Sequence, residues 1–333
     1  MDRDVNFPYL SRVSSVTSED GTSFLDKLFR DLFLGNAEAL KSIELKAEKG
    51  DGKESLKALA FAMTGERVSV EKVGSIYKCC INLSGQILIL DFETMMVVGS
   101  YPLIWEIVQV YDNEPNSEDI CGLLMSDQYG LQSEFFKQPI IDTLSTVGVK
   151  DNAGRTLRVL TVDINDKVIP FLSEDYANNL PAYKAWIAEQ CGVDLSSEKG
   201  LALLPYAKDA ANANMALAFA NSEILMFTIP APTYGISISL DQFKKVVAKE
   251  TLAERLLVYG AYVTLKIYEP QFGKVYYENP VKKGIPKTVP ASQEVVDDFA
   301  VFQEALKNVL QKAGNEAMND KKGRKVLEKC KRS

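Results

Sequence analysis

Apolar and polar residues alternate in short runs along much of this chain, and the clearest case is the stretch from residue 86 to 101. Two apolar runs, residues 87–90 and 95–98, flank the polar residues Asp91 to Thr94. Apolar runs of this length that end at turn residues are typical of paired β-strands. The pattern therefore predicts an antiparallel hairpin over residues 86–101.

A second stretch, residues 258–280, has the same plan, with a turn from Glu269 to Gly273 between two strands. Alternation elsewhere predicts further strands. They cover residues 67–73, 76–83, 104–111, 156–164 and 200–205, and a meander of 215–219, 223–229 and 235–240.

Other segments carry apolar residues at the spacing of an amphipathic helix. In residues 54–64 these are Leu56, Leu59, Ala60 and Met63, followed by the helix-ending Gly65. By the same criterion, or by capping residues, helices are predicted over 23–35, 38–49, 129–147, 179–191 and 241–249.

The order of elements predicts an α+β fold of two units, each a mainly antiparallel sheet with a β-hairpin flanked by helices. A chain of 333 residues is long for one domain. The polar residues 149–155 form the predicted boundary. The predicted division is a first unit over residues 1–150, a second over 151–312, and a basic C-terminal tail over 313–333.

Composition favours a folded protein without a membrane span. Hydrophobic residues make up 46% of the chain and charged residues 25%, and the formal net charge is −7. No apolar run has the length of a membrane-spanning helix. The first residues lack a signal-peptide pattern, which predicts a cytoplasmic protein as the sequence stands. A periplasmic or envelope location is expected if a signal peptide was trimmed.

The chain has no histidine, which removes histidine-dependent catalytic and metal sites. The five cysteines include no C-x-x-C pair, and no glycine-rich phosphate-binding motif occurs. We therefore expect reduced thiols, no cofactor and no metal site.

Asp163 and Asp166, beside Lys167, lie where a predicted strand ends. An acid pair at a strand end could serve a carboxylate-dependent hydrolase that needs no histidine. The same residues also fit an ordinary turn. Asp91 and Glu93, in the first hairpin, could bind a cation or act as an acid–base pair, and they also fit an ordinary hairpin turn.

Tyrosines concentrate around the second hairpin, at Tyr259, Tyr262, Tyr268, Tyr276 and Tyr277. Tyrosine offers a large contact area with a polar tip, so Tyr262, Tyr268 and Tyr276 are candidates for a partner-binding face. Cross-strand aromatic packing is the alternative.

Basic residues concentrate at the C-terminus, where residues 312–333 hold eight basic and three acidic side chains, a net charge of 8 − 3 = +5. The candidates for contact with an anionic surface or nucleic acid are Lys321, Lys322, Arg324 and Lys325. A solvated chain end is the alternative.

The order helix, hairpin, helix and apolar strand ending Leu203-Leu204-Pro205-Tyr206 resembles the curli-secretion lipoproteins and the envelope lipoproteins that activate cell-wall synthases. The hairpin residues 88–98 and 265–275 also carry this resemblance. It implies a non-enzymatic α/β module used in envelope assembly, and it assigns no functional residue.

These observations together predict a non-catalytic scaffold, assembly or protein-interaction protein. Its expected partner is another protein or a copy of itself, met through the sheet surfaces. Nucleic acid or an anionic surface would be met only through the C-terminal segment. The carboxylate-dependent hydrolase is the alternative function.

Overall fold

The computed structural model describes residues 7–17, 21–36, 57–146, 155–201, 203–207, 213–218, 224–291, 293 and 296–331. The helix predicted over 38–49 and most of the boundary segment 149–155 lie outside these residues. The chain forms two units. One comprises Met1–Asp151 and Asn212–Pro230, and the other comprises Asn152–Ala211 and Ala231–Arg332.

The described strands, in chain order, are β1 (Lys57–Val73), β2 (Ile76–Asp91), β3 (Met96–Tyr111), β4 (Leu157–Ile164), β5 (Ala213–Ala218), β6 (Ile224–Ile229), β7 (Tyr234–Glu250), β8 (Glu254–Glu269) and β9 (Lys274–Pro290). The described α-helices are α1 (Leu10–Ser14), α2 (Phe24–Gly35), α3 (Ser117–Leu124), α4 (Glu134–Thr146), α5 (Glu174–Asn178), α6 (Leu180–Val193), α7 (Asp298–Asn319) and α8 (Lys321–Leu327).

The sheet of the first unit has the order β1-β2-β3-β6-β5. Strands β1, β2 and β3 are antiparallel neighbours, and the first predicted hairpin is the β2–β3 pair. Its strands are longer than predicted, because 76–83 and 104–111 continue the strands of the hairpin. Asp91 shapes the turn by accepting hydrogen bonds from the backbone N–H groups of Glu93 and Thr94.

The helix predicted over residues 54–64 is wrong where the structure describes it, because residues from Lys57 onward belong to β1. Leu59, Phe61 and Met63 alternate with alanines, and alanine favours a helix over a strand. Pairing with β2 decides the outcome, with Leu59 opposite Ile89. A β-bulge at Thr64 then shifts the register.

Helices cover one face of the first sheet. Its core contains Ile81, Leu83 and Trp105 from the strands, with Phe136 from α4. The rings of Trp105 and Phe136 stack with their centroids 4.4 Å apart, and the indole N–H donates to the Phe136 carbonyl oxygen over 3.1 Å. This bond satisfies the one polar group of a buried tryptophan.

The sheet of the second unit has the order β4-β7-β8-β9. Strands β4 and β7 are parallel, and the others are antiparallel. The second predicted hairpin is the β8–β9 pair, and its turn ends at Gly273 with φ +64°. The strand predicted over 200–205 is reduced to two isolated bridges. Leu203 pairs with Leu157 of β4, and Leu201 pairs with Lys331.

The helix predicted over residues 241–249 is also wrong, since these residues continue β7 to Glu250. Asp241 was expected to cap a helix. It lies instead at a β-bulge, where it accepts hydrogen bonds from the hydroxyl groups of Ser239 and Thr264, each over 2.7 Å. Pairing with β8 supplies the backbone partners that a helix would have supplied internally.

Helices α6 and α7 pack against one face of the second sheet. The C-terminal segment belongs to this unit, since α8 follows α7 and buries Val326 and Leu327 in the same core. Cys330, in the last helical turn, is also buried.

The predicted α+β fold class is confirmed: the two sheets are mixed but mainly antiparallel, with flanking helices. The predicted meander of 215–219, 223–229 and 235–240 is confirmed for its first two strands, which are antiparallel neighbours, and is wrong for the third. Strands β5 and β6 join the first sheet, where Met96 pairs with Thr228 in parallel, whereas β7 lies in the second sheet.

Candidate interaction surfaces

The two aspartates of the hydrolase hypothesis are exposed. Asp163 is near the end of β4, in register with Ser239 of β7. Asp166 begins the short 3₁₀ helix Asp166–Phe171, whose preceding residue Asn165 accepts a hydrogen bond from the Lys167 N–H. These contacts are those of a strand end followed by a capped turn. Their catalytic role stays a prediction.

The structure divides the five tyrosines between the two faces of the second sheet. Tyr259 and Tyr277 are buried on the face that packs against the helices. Tyr262 and Tyr268 lie on the opposite face and are half-buried, because side chains alternate along β8. Tyr276 sits at the bulge of β9, edge-on to Tyr234, and its hydroxyl donates to Glu269 over 2.9 Å.

Hydroxyl and carboxylate groups surround Tyr262 and Tyr268 on this second face. Thr161 donates a hydrogen bond of 2.7 Å to Ser237, and Asp241 receives the two hydroxyl donors already described. Lys266 lies 3.6 Å from Glu278 and 5.9 Å from the centre of the Tyr268 ring. The face can offer aromatic and hydrogen-bonding contacts to a partner, and its role as a partner face stays a prediction.

The basic candidates Lys321, Lys322, Arg324 and Lys325 are exposed on α8. Asp320 caps this helix by accepting from the Lys322 and Gly323 N–H groups, and these bonds lower the pKa of its carboxyl. Arg324 donates to the carbonyl oxygens of Met318 and Asn319, each over 3.1 Å. Its guanidinium thus supplies hydrogen-bond donors to carbonyl oxygens at the C-terminal end of α7, so this side chain has a structural role.

Lys321 and Lys322 border an open cleft of about 590 Å³. Its other lining residues are Tyr276, Tyr277, Glu278, Asn279, Glu316 and Asp320. Burial raises the pKa of the Tyr277 hydroxyl, and the carboxylates of Glu316 and Asp320 raise it further. The cleft mixes both signs of charge and contains neither Asp163 nor Asp166.

The β9 edge of the second sheet is protected against pairing with another strand. Lys312 donates to the carbonyl oxygen of Lys282 over 3.2 Å, which shows that the backbone of Lys282 points away from β8. Backbone direction alternates along a strand, and the register is continuous from Tyr277 to Pro290. Pro280, Pro286 and Pro290 therefore also point outward, where they remove N–H donors from the edge.

The β1 edge of the first sheet lacks outward-facing prolines. Among the described strands, β1 has β2 as its one neighbour. It is 17 residues long and contains no proline. From Lys57 to Val70 its side chains are half-buried or exposed. Long edges without proline are sites where another strand can add.

Burial shifts the pKa values of several side chains that could take part in chemistry. Burial raises the pKa of Cys79 to about 11 and that of Cys191 to about 12, so these thiols stay protonated at neutral pH. Arg158 is fully buried, and burial lowers the pKa of its guanidinium. In the same part of the chain, no group of three or more cysteine, aspartate and glutamate side chains is arranged to hold a metal ion.

No helix formed by the described residues has both the length and the apolar character needed to cross a membrane. No family model and no curated protein matches the sequence.

Several solved structures show a distant resemblance. A homolog of a neuraminyllactose-binding hemagglutinin from Helicobacter pylori covers 55% of this chain and 97% of its own, at 13% identity and TM-score 0.31. A minor lipoprotein from Acinetobacter baumannii covers 52% and 93%, at 10% identity and TM-score 0.22. The PelC L103M dodecamer from Paraburkholderia phytofirmans covers 47% and 86%, at 11% identity and TM-score 0.21. TM-scores this low carry no argument about the fold or the function of this chain.

Proposed function

We propose that this chain is a non-catalytic assembly protein that associates with copies of itself by adding strands at the β1 edge. The observation that carries the proposal is the contrast between the two long edges. Three outward-facing prolines protect β9, whereas the 17-residue β1 contains none.

The cysteine thiols and the candidate catalytic aspartates are consistent with a non-catalytic role. The buried thiols have raised pKa values, and the acids named for a hydrolase lie outside the cleft of the second unit. The face that carries Tyr262 and Tyr268 and the exposed bases of α8 are further surfaces on which partners could dock. The envelope location implied by the resemblance stays a prediction.

Hydrogen exchange of the purified chain at low and high protein concentration tests the proposal. In an edge strand, only the N–H groups that face the neighbouring strand are protected, so about half of the β1 amides should exchange fast at low concentration. Association through β1 should slow these amides as the concentration rises. Sedimentation equilibrium would report the accompanying increase in molar mass.

Strand β9 is the control within the same molecule, because prolines occupy three of its outward positions, 280, 286 and 290. Its exchange rates should not change with concentration. A molar mass that stays that of a monomer, with β1 exchange independent of concentration, would overturn the proposal.

A further inference from the structure

The bulge in β1 separates two regularly paired segments, residues 57–63 and 65–73, and the charges of the second are arranged about a definite centre. The bulge at Thr64 ends the regular pairing of this second segment with β2 on one side, and the strand ends at Val73 on the other. From Gly65 to Val73 the register with β2 is continuous. Ser69 is the middle residue of this segment.

Charges around Ser69 are arranged with opposite signs at equal distances. Arg67 lies two residues before Ser69 and Glu71 two residues after it. Glu66 and Lys72 lie three residues to either side. The flanking Val68 and Val70 are identical. An antiparallel copy of this segment centred on Ser69 would therefore meet each charge with its opposite.

We infer that two copies of this chain form a symmetric dimer by antiparallel pairing of their β1 strands, with the two-fold axis at Ser69. The inference rests on the proposed function and names its partner and register. It places Arg67 of each copy opposite Glu71 of the other, and Glu66 opposite Lys72. Opposite charges in directly facing positions stabilise a strand pair, and like charges destabilise it.

Other registers lose this complementarity. Moving the centre to Val68 places Arg67 opposite Ser69, and moving it to Val70 places Arg67 opposite Val73. A parallel pairing in register would place each charge opposite the same charge. Among antiparallel pairings centred within residues 65–73, the one centred on Ser69 places both pairs of opposite charges face to face.

The other edge of the first sheet offers a different mode of association. Pairing of β1 with β5 of a second copy would leave both edges of the pair free and would build an open chain. Strand β5 has the sequence ANMALA and carries no charge. Strand β5 therefore offers no charge that could face Arg67 or Glu71, whereas a second β1 offers one for each, so the charge pattern favours the closed dimer.

Glu66 is already held in place on its own chain. Its carboxylate accepts hydrogen bonds from the backbone N–H groups of Tyr9 and Leu10, over 3.0 and 2.9 Å. Burial raises its pKa, and a nearby ammonium group would oppose that effect. Arg67 and Glu71 also interact within their own chain, so a single substitution could act through either copy.

Two charge-reversal variants distinguish an effect within one chain from an effect across the dimer interface. Arg67→Glu places glutamate opposite glutamate in the homodimer, and Glu71→Arg places arginine opposite arginine. Each variant alone should dissociate at a concentration about tenfold higher than the wild type, or more. In an equimolar mixture the two variants are complementary, so the mixture should dimerise with nearly wild-type affinity. Sedimentation equilibrium measures all three samples.

Two exposed residues provide controls of equal charge change. Lys283→Glu matches the first variant and Glu114→Arg matches the second, and neither lies on β1. These controls should dimerise like the wild type, alone and mixed. A variant that fails to fold would not be rescued by mixing, so recovery in the mixture can come only from residues 67 and 71 facing each other.

The outcomes distinguish this inference from the proposed function. Homodimers of both variants with wild-type affinity, or a mixture no tighter than its components, overturn the Ser69 register while self-association stands. A molar mass that keeps growing with concentration overturns the closed dimer in favour of an open chain. A wild-type protein that stays monomeric overturns both.

Discussion

The side-chain amide of Gln303 donates a hydrogen bond of 2.8 Å to the hydroxyl of Tyr183, joining α7 to α6 inside the second unit. Both side chains are buried, and the rings of Tyr176 and Trp186 lie 4.7 and 5.7 Å from the Tyr183 ring. Burial raises the pKa of the Tyr183 hydroxyl, which remains a neutral acceptor. Two helices 120 residues apart in sequence are thereby fixed in one position.

Breaking this bond should destabilise the second unit. Gln303→Leu leaves the Tyr183 hydroxyl buried without its donor, and we expect the free energy of unfolding to fall by about 1–3 kcal/mol. Tyr183→Phe should have a similar effect by leaving the amide of Gln303 unpaired. The double variant should cost less than the sum of the two, because both polar groups are gone. Urea denaturation measures the cycle, and strict additivity would contradict the coupling.

Alkaline pH should destabilise the second unit through its buried thiols. Burial raises the pKa of Cys191 and of Cys330 to about 12, from an ordinary value of 9.0. Each thiol has a higher pKa in the folded protein than in the unfolded chain. Its contribution to stability is therefore fully present below the pKa of the unfolded chain and is lost as the pH rises towards the pKa of the folded protein. Above about pH 9, each thiol should lower the free energy of unfolding by about 1.4 kcal/mol per pH unit.

The double variant Cys191→Ala, Cys330→Ala is the control for this pH dependence. It should be less stable at neutral pH because two buried side chains lose volume. Its free energy of unfolding should fall less steeply between about pH 9 and about pH 10 than that of the wild type. Equal slopes would show that these thiols do not titrate on unfolding.

Replacing the outward prolines of β9 should open a second edge. The triple variant Pro280→Thr, Pro286→Thr, Pro290→Thr restores three outward N–H donors on the strand. We expect faster aggregation, measured by static light scattering, with the circular dichroism spectrum unchanged.

Strand β9 also offers the control for that experiment. Lys283 and Lys287 lie at positions that alternate with the prolines, so their N–H groups face β8. The variant Lys283→Thr, Lys287→Thr changes β9 without adding an outward donor, and it should aggregate less than the proline variant. Equal aggregation would mean that side-chain charge, and not the missing N–H groups, protects this edge.

Gly235 should not tolerate a larger residue. A Cβ atom at this position would lie 2.5 Å from Cδ1 of Leu160 and 3.0 Å from the Tyr268 ring. Gly235→Ala should therefore destabilise the protein by about 1–3 kcal/mol, measured by thermal or urea unfolding. Adding Leu160→Ala should recover part of this loss. Gly284→Ala, whose nearest contact would be 3.4 Å, should have a smaller effect, and equal losses would contradict the packing argument.

The sequence predicted the hairpins well because their signals are local. The β2–β3 turn is formed by Asp91 and its neighbours, and the β8–β9 turn ends at Gly273, which adopts a positive φ. The helix predicted over 179–191 is α6, which Asn179 caps, with Pro181 in the first turn. Such positions depend on the backbone within a few residues, so one sequence contains their cause.

The two wrong helices show where local signals fail. Residues 57–64 and 241–249 fit a helical pattern, yet both belong to strands of 17 residues. In each case the decisive partner lies outside the segment, in the next strand of the chain: β2 for the first segment and β8 for the second. Alanine and lysine favour a helix, but this preference is small per residue and does not outweigh a long ladder of backbone hydrogen bonds between strands.

The candidate sites likewise depended on which strands pair. The sequence located the tyrosines but not their division, because the face that each side chain takes depends on the register and on the bulge in β9. The sequence shows the prolines of β9 and the charges of β1, but it does not show that these strands lie at sheet edges. Only the strand order reveals that.

The amino-acid sequence by itself determined an α+β chain with two hairpins, no histidine chemistry and a net negative charge, since these follow from composition and from contacts between near neighbours. The tertiary structure decided that β5 and β6 join the first sheet and that β1 and β9 lie at sheet edges. Strand order is set by the burial of apolar faces from distant segments, and that competition is not written in any single stretch of the chain.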